Sequence, residues 1–429
     1  MRAFTPLVLL LSASCASYQA QPLQNLPEIV AKMPTQRLSY EEAMVLLATH
    51  APELRRAQAE YETAARLAGV KTPWPNPELE LAPSLAYGHA DKPGLGGRIG
   101  AMGSLSFTIP VNGRLGLQDE VNVANAEAML IKARAAQRNL GFKFKRLWRQ
   151  VALARDRVDL RQQLVTSVET GLELQQRAAA GGFSSHLDAG ISALELGNLR
   201  REAIKAQVEL AMLTGELAEL SGLGADCFTS IAKIEMGTPI LPSAAQLRDT
   251  VLVHNPELAT MRADYEVAER QLRLEVALQY PDLKLGTSID GMAGEHKTNY
   301  SLTLGLSLPI FDRNQQGIAM AESRRTQLRV QFESRVAEVL AQAETRRRTL
   351  PLTMQALELA KANLPQAETN RQDAAQGRKA GVMDLLRLLE IERSTRLAQL
   401  AVIEDQIEVA KIIGELEQAA GVSLAAQTH

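Results

Sequence analysis

The chain has 429 residues, a formal net charge of −2, and 4 % aromatic against 46 % hydrophobic residues. That balance, dominated by Ala and Leu and accompanied by many Glu, Arg and Gln, belongs to long packed helices. Acidic and basic residues are interspersed without a basic tail or face, which argues against nucleic acid as a partner. The two cysteines, Cys15 and Cys227, exclude a disulfide framework and a cysteine-based zinc site.

Arg2 is followed by the apolar run Leu7-Val8-Leu9-Leu10-Leu11 and then by small residues. This is similar to a short secretory signal peptide. Leu11-Ser12-Ala13-Ser14-Cys15 also resembles a bacterial lipobox, with its Leu one place early. Two outcomes stay open: a signal over 1–15 with lipidation of Cys15, or ordinary cleavage near Ala20. No later stretch is long and apolar enough for a transmembrane helix.

From about residue 36 the chain is written twice. His50-Ala51-Pro52-Glu53-Leu54 returns as His254-Asn255-Pro256-Glu257-Leu258, Tyr61 as Tyr265, and Arg66 as Arg270, at one offset (254 − 50 = 204). Pro77-Glu78-Leu79-Glu80-Leu81 returns as Pro281-Asp282-Leu283-Lys284-Leu285 at the same offset. Pro110 and Pro309, Gly182 and Gly381, and Leu217 and Leu416 then share a shorter one (309 − 110 = 199). The reading is a first repeat over 36–224, a joint over 225–240 and a second repeat over 241–424, with a five-residue deletion (204 − 199 = 5) between Leu81 and Pro110. Two copies are too few for a solenoid and indicate a pseudo-symmetric pair of large units.

In the first copy, Leu79, Leu81, Pro83, Leu85 and Tyr87 alternate with Glu78, Glu80, Ala82, Ser84 and Ala86. Residues 99–109 repeat the pattern, so strands are predicted within about 78–109. In the second copy strands are predicted within about 282–308: Leu283, Leu285, Thr287 and Ile289 face away from Lys284, Gly286, Ser288 and Asp290, and Tyr300, Leu302, Leu304, Leu306 and Leu308 away from Ser301, Thr303, Gly305 and Ser307. Each strand is about ten residues, the length that crosses a bilayer when tilted. Four strands cannot close a barrel, and open edges are not tolerated in lipid, so a membrane reading requires chains to share one barrel. Two chains give about eight strands and a lumen full of side chains; three give about twelve and room for a channel. A half-buried soluble sheet is the competing reading of the alternation.

No proline interrupts Gly116 to Ala180, and a helix of that length extends about 100 Å. Leu140, Phe144, Leu147, Val151, Ala154, Val158, Val165, Val168 and Leu172 keep a 4,3 spacing broken once, at Arg161. Leu199, Ala203, Ala206, Leu210, Leu213, Leu217 and Leu220 keep it again. These are coiled-coil seams. Gly181-Gly182 and Gly381 end the two long helices, so each copy folds back as a helical hairpin. Pro351 and Pro365 predict kinks or a break in the second. Arg346-Arg347-Arg348 after Glu344 reads as a solvated helix face.

The six histidines show no ligand spacing on one helix, and no cysteine joins them. No metal site, cofactor site or catalytic residue emerges, and no nucleophile–base pair, phosphate loop or carboxylate dyad supports an enzyme.

In this order, the doubling, Asn255-Pro256-Glu257-Leu258, Pro75-Asn76-Pro77-Glu78-Leu79, Leu308-Pro309-Ile310-Phe311-Asp312-Arg313 and the turn glycines make the chain resemble the TolC-like outer-membrane efflux proteins. Pro75-Asn76-Pro77-Glu78-Leu79-Glu80 is most similar to the cobalt–zinc–cadmium (heavy-metal) branch. The resemblance implies a mainly α fold with a β-barrel part: a homotrimer with a 12-stranded barrel in outer-membrane lipid, four strands per chain, and a coiled-coil helical barrel crossing the periplasm. It implies an exit duct that docks to a periplasmic adaptor and, through it, to an inner-membrane RND-type pump. It places adaptor contacts at Gly182, Phe183, Ser184 and Ser185 and at Gly381, Val382 and Met383, with Asp384 beside them. The family often carries an acidic residue six positions after the turn glycine, lining the closed tip. Here these positions are Asp188 and Arg387, so a ring of Asp188 or an Asp188–Arg387 contact is expected at the aperture, against the bland reading of ordinary helix-end charges. A duct for drugs or secreted proteins, and a periplasmic coiled-coil scaffold with a small soluble β domain, remain as alternatives.

Overall fold

A computed structural model of the chain describes residues 18–23, 25, 38–86, 98–182, 185–229, 231–232, 239–292 and 298–424. The element order is α1 (Tyr40–His50), α2 (Pro52–Ala68), β1 (Glu78–Ala86), β2 (Arg98–Ile109), α3 (Arg114–Ala180) and α4 (His186–Ser221). A 3₁₀ turn (Ala225–Phe228) leads to the same order again: α5 (Ala244–His254), α6 (Pro256–Ala277), β3 (Leu283–Met292), β4 (Thr298–Leu306), α7 (Gln315–Lys379) and α8 (Leu385–Ala420). Cys15, His89 and His296 lie outside the described residues.

Local chemistry sets most boundaries. Ser39 with Glu42, and Ser243 with Gln246, form capping boxes that start α1 and α5. Pro52 and Pro256 open α2 and α6, where a missing N–H costs nothing. Asn255 caps α6 through Leu258 N and also donates to Ala419 O at 2.8 Å. The 67-residue α3 starts after Gly113 (φ 73°) and the 65-residue α7 after Asn314 (φ 56°). Both chains of residues enter the long helix through a left-handed turn that glycine and asparagine tolerate best.

The helices bury their seams against one another. Val165 and Leu172 of α3 meet Ala189, Leu196 and Ala203 of α4. Leu153 of α3 meets Ile403 and Ala410 of α8, so α3 belongs to both hairpins. A second core joins Val251, Leu258, Val339, Leu350, Leu357, Val409 and Leu416. An aromatic cluster of Tyr40, Phe144, Trp148 and Phe228 packs where α1 crosses α3, and Trp148 Nε1 donates to Ala232 O at 3.1 Å. Cys227 is buried beside it, and burial pushes its thiol up.

The predicted break in the second long helix does not occur. Pro351 and Pro365 both lie inside α7, which is one helix throughout. Each proline removes one backbone hydrogen bond. Around Pro351, Leu350 and Leu357 stay buried in the core shared with α8, and the Thr349 and Thr353 hydroxyls donate to carbonyls one turn back. Tertiary packing therefore outweighs the local defect. The last strand also ends at Leu306, short of the expected 308, ahead of Pro309, which has no N–H for the ladder.

Candidate duct wall and helical-tip turns

The four strands form one antiparallel sheet in the order β1-β2-β3-β4. Its register places whole rows on one face or the other. Glu80 pairs with Ser104, Ser104 with Ser288 and Ser288 with Ser301; Glu78, Ser106, Gly286 and Thr303 form the next row. Lys284 and Asp290 lie on this same polar face, and the Ser288 and Ser301 hydroxyls are 2.6 Å apart. The opposite face carries rows such as Leu79-Leu105-Thr287-Leu302 and Phe107-Leu285-Leu304. Leu79, Leu81, Phe107, Tyr300, Leu302 and Leu304 on this face are exposed, and Leu105 and Leu285 half-buried. Among the described residues no strand packs against a helix, and no strand pairs with the outer edges of β1 and β4. A soluble half-buried sheet would cover one face with a layer of its own chain, and among the described residues this sheet has none.

At the strand–helix end, the Thr72 hydroxyl and N–H both donate to Asp119 Oδ1, at 2.6 and 2.7 Å. These bonds hold that carboxyl below the usual range. Arg114 and Asp282 pair across the two central junctions at 2.9 Å.

At the far end of the long helices are the two turns. Gly182 and Gly381 are left-handed, φ 77° and 75°. Ser185 caps α4 by accepting from Leu187 N, and Asp384 caps α8 by accepting from Leu386 N. Val382 and Met383 both donate backbone N–H bonds to Gly377 O. Phe183, Ser184 and the side chain of Asp188 lie outside the described residues. Arg387 pairs with Glu390 on its own helix at 2.6 Å, and both are exposed. Asp384 and Arg387 line one groove of about 450 Å³ with Gln175, Ser192, Glu195 and Arg393.

That groove contains a link the sequence reading missed: Arg393 of α8 pairs with Glu195 of α4. Higher in the shaft, Arg161 of α3 pairs with Glu202 of α4 and Glu404 of α8, and Arg157 with Glu209 at 2.5 Å. The signal for the first was available: Glu195 follows Gly182 by nearly the same number of residues as Arg393 follows Gly381, which sets both at one height. The signal for the second was the single break in the α3 seam. No group of three or more His, Cys, Asp or Glu is placed to hold a metal ion among the described residues.

The sequence pattern of the outer membrane efflux protein family matches residues 247–422. The chain is 26 % identical over 298 residues to the cobalt-zinc-cadmium resistance protein CzcC of Cupriavidus metallidurans, covering 63 % of this chain and 68 % of CzcC. It is 25 % identical over 291 residues to the nickel-cobalt-cadmium resistance protein NccC of Alcaligenes xylosoxydans xylosoxydans, covering 64 % of this chain and 61 % of NccC. The fold is that of the Campylobacter jejuni CmeC outer membrane channel, with a TM-score of 0.71 over 96 % of each chain at 13 % identity. The family's pattern is thus carried by the second repeat of this chain. The matched pattern spans most of α5, α6, the β3–β4 hairpin and the α7–α8 hairpin. No helix among the described residues is long and apolar enough to cross a membrane.

Proposed function

We propose that this chain is an outer-membrane efflux protein, the exit duct of a tripartite exporter. Three copies close one 12-stranded barrel, and their paired hairpins continue it as a helical conduit in the periplasm. The observation that carries this reading is the sheet itself: among the described residues it has two free edges, an apolar face with exposed side chains, a polar face rich in small residues, and no helix covering either. In lipid, free edges must be paired, and closing with further copies satisfies them. Three chains supply a lumen wide enough to conduct.

The duct has no energy source of its own, so an inner-membrane pump and a periplasmic adaptor complete the reading. The adaptor meets the turns at Gly182–Ser185 and Gly381–Met383, where photo-crosslinkers at Ser185 and Met383 should capture it. Failure at both positions removes that assignment. Asp188, Asp384 and Arg387 line the aperture, and Asp188→Asn should change conductance if they do. The lipid on Cys15 is tested by the mass of the N-terminal peptide.

Heavy-metal cations are the proposed cargo. Support comes from the names of the two relatives and from the polar sheet face, whose register positions include Glu78, Glu80 and Asp290 against Lys284 and Arg98 in each chain. Loss of the gene should sensitise cells to cobalt, zinc or cadmium; sensitivity to drugs alone would move the duct to another exporter.

The decisive experiment is the native mass of the full-length protein extracted from outer membranes in mild detergent. A mass three times that of the chain is expected. A monomer that stays soluble without detergent overturns the reading in favour of a periplasmic scaffold. A charge at Leu304, on the apolar face, should also harm assembly more than one at Thr303.

A further inference from the structure

The two repeats differ where the second helix of each packs on its long helix. In the second repeat the chain plugs that groove itself. The Arg262 guanidinium of α6 stacks over the Phe332 ring of α7, 5.5 Å from its centroid, and donates to Leu252 O at 2.8 Å. The repeat offsets (262 − 58 = 204 and 332 − 133 = 199) put Gln58 and Ala133 in those two places in the first repeat. There a groove of about 650 Å³ stays open between α2 and α3. Leu54 and Leu130 lie half-buried in it, and Arg55 and Arg134 stand exposed along it. The same offsets put Ala259 and Glu333 at the places of these two arginines, so the open groove is also the one that carries the positive charge. Among the described residues neither guanidinium meets a carboxylate, whereas Arg157, Arg161 and Arg335 of the shaft all do.

We propose that this groove is a docking site for an acidic peptide segment of a second protein, laid along the side of the shaft. Charge selects the occupant first. Arg55 and Arg134 can each take a carboxylate, Gln137 offers an amide to the peptide backbone, and Leu54 and Leu130 give its small side chains an apolar floor. Glu62 is the acid of the lining, and it accepts from Gln58 Nε2 at 3.1 Å. Shape selects it next. Arg55, Gln58, Arg134 and Gln137 are all exposed, so the groove is an open trough. A small molecule needs most of its surface enclosed, whereas an extended chain held at several points does not. Position separates the site from other partners. Arg134 lies 20 residues into α3 (134 − 114 = 20), about 30 Å along the helix from the sheet and from any lipid around it. It lies 46 residues before the end of α3 (180 − 134 = 46), about 70 Å from the helical turns. The groove belongs to a single chain, so the inference holds independently of how many copies close the barrel.

The test uses the full-length protein in mild detergent and dye-labelled peptides in which Ala alternates with Glu, Gln or Lys, read by fluorescence anisotropy. The Glu peptide should bind saturably and more weakly as salt rises, and the Gln and Lys peptides should not bind. Equal binding of the Glu and Gln peptides, or no binding of the Glu peptide, overturns the proposal on the parent protein without any variant. Arg55→Gln with Arg134→Gln should weaken the Glu peptide about tenfold, while Arg262→Gln, in the plugged groove, should leave it unchanged. Parent-like binding by the double arginine variant overturns the proposal. The deciding variant copies the plug: Gln58→Arg with Ala133→Phe adds a cation yet fills the groove. Docking requires that this variant lose the Glu peptide. Tighter binding would show attraction to surface charge alone, and the groove would have no part in it.

Discussion

Arg161 ties the two halves of the fold together: its Nη2 lies 3.0 Å from Glu404 Oε1 on α8, while its other terminal nitrogen pairs with Glu202 on α4. It occupies a seam position of α3, where every neighbouring seam residue is apolar. A charge in a coiled-coil seam costs stability and fixes register. The two glutamates are about half exposed, at 50 % and 49 %, so solvent screening keeps the pairs weak.

Arg161→Ala should therefore lower stability by about 1 kcal/mol, through lost packing and lost pairs. Arg161→Leu should recover that loss, because it completes the apolar seam. Urea unfolding of both variants checks the order; a Leu variant less stable than the Ala variant contradicts the seam assignment.

Lys145 and Glu417 behave differently because they are enclosed. Glu417 is 1 % exposed, and its carboxylate accepts from Lys145 Nζ at 3.2 Å, Ser423 Oγ at 2.9 Å and Leu424 N at 3.0 Å. This links α3 to the turn after α8. Lys145→Ala leaves a buried carboxylate short of its cation, and a loss of about 3–5 kcal/mol is expected. Adding Glu417→Gln should restore part of it, which a double-mutant cycle on thermal unfolding would read.

Gly421 and Gly381 share a left-handed backbone but not its surroundings. A methyl at Gly421 (φ 69°) meets His254 O at 2.1 Å, whereas one at Gly381 (φ 75°) meets nothing within 4 Å. Gly381→Ala should cost about 1 kcal/mol from the backbone alone. Gly421→Ala should cost about 3 kcal/mol or more, since backbone must move as well. Equal shifts in melting temperature would show that the α8 end does not press on the α5–α6 corner.

Glu344 accepts from both Arg347 and Arg348, at 2.7 and 2.6 Å, and these bonds hold its carboxyl down to about 2 from 4.5. A carboxylate depressed in the folded state adds stability that is present above the unfolded value and disappears as pH falls through the folded one. Glu344→Gln should lower the melting temperature at neutral pH, and the gap to the parent should close between about pH 4.5 and pH 2. A gap independent of pH over that range would mean the arginines do not hold the charged form.

Much of this architecture is local and was readable. Strands 78–86 and 283–292 follow from strict alternation, because a strand shows each face every second residue. The seams of α3 and α4 follow from 4,3 spacing, and the corners at Pro52 and Pro256 from the missing N–H. The turns at Gly182 and Gly381 needed only glycine at the end of a long apolar period. Of the candidate tip residues, Arg387 was legible as a charge near a helix end, whereas the capping by Ser185 and Asp384 came only with the structure. The charge partners were not legible, because Arg387 finds Glu390 on its own helix while Arg393 crosses to Glu195, and one-dimensional spacing does not rank a neighbour on the same helix against one on another.

The sequence by itself determined the periodicities, the helix and strand ends and the doubling, since each depends on residues within a few turns of one another. Only the tertiary structure decided which helices share α3, where Arg161 sends its two pairs, and that α7 runs unbroken through Pro351 and Pro365. Those outcomes depend on side chains brought together from residues 41 to 243 positions apart, where burial against α8 outweighs a local hydrogen bond and no period along the chain records it.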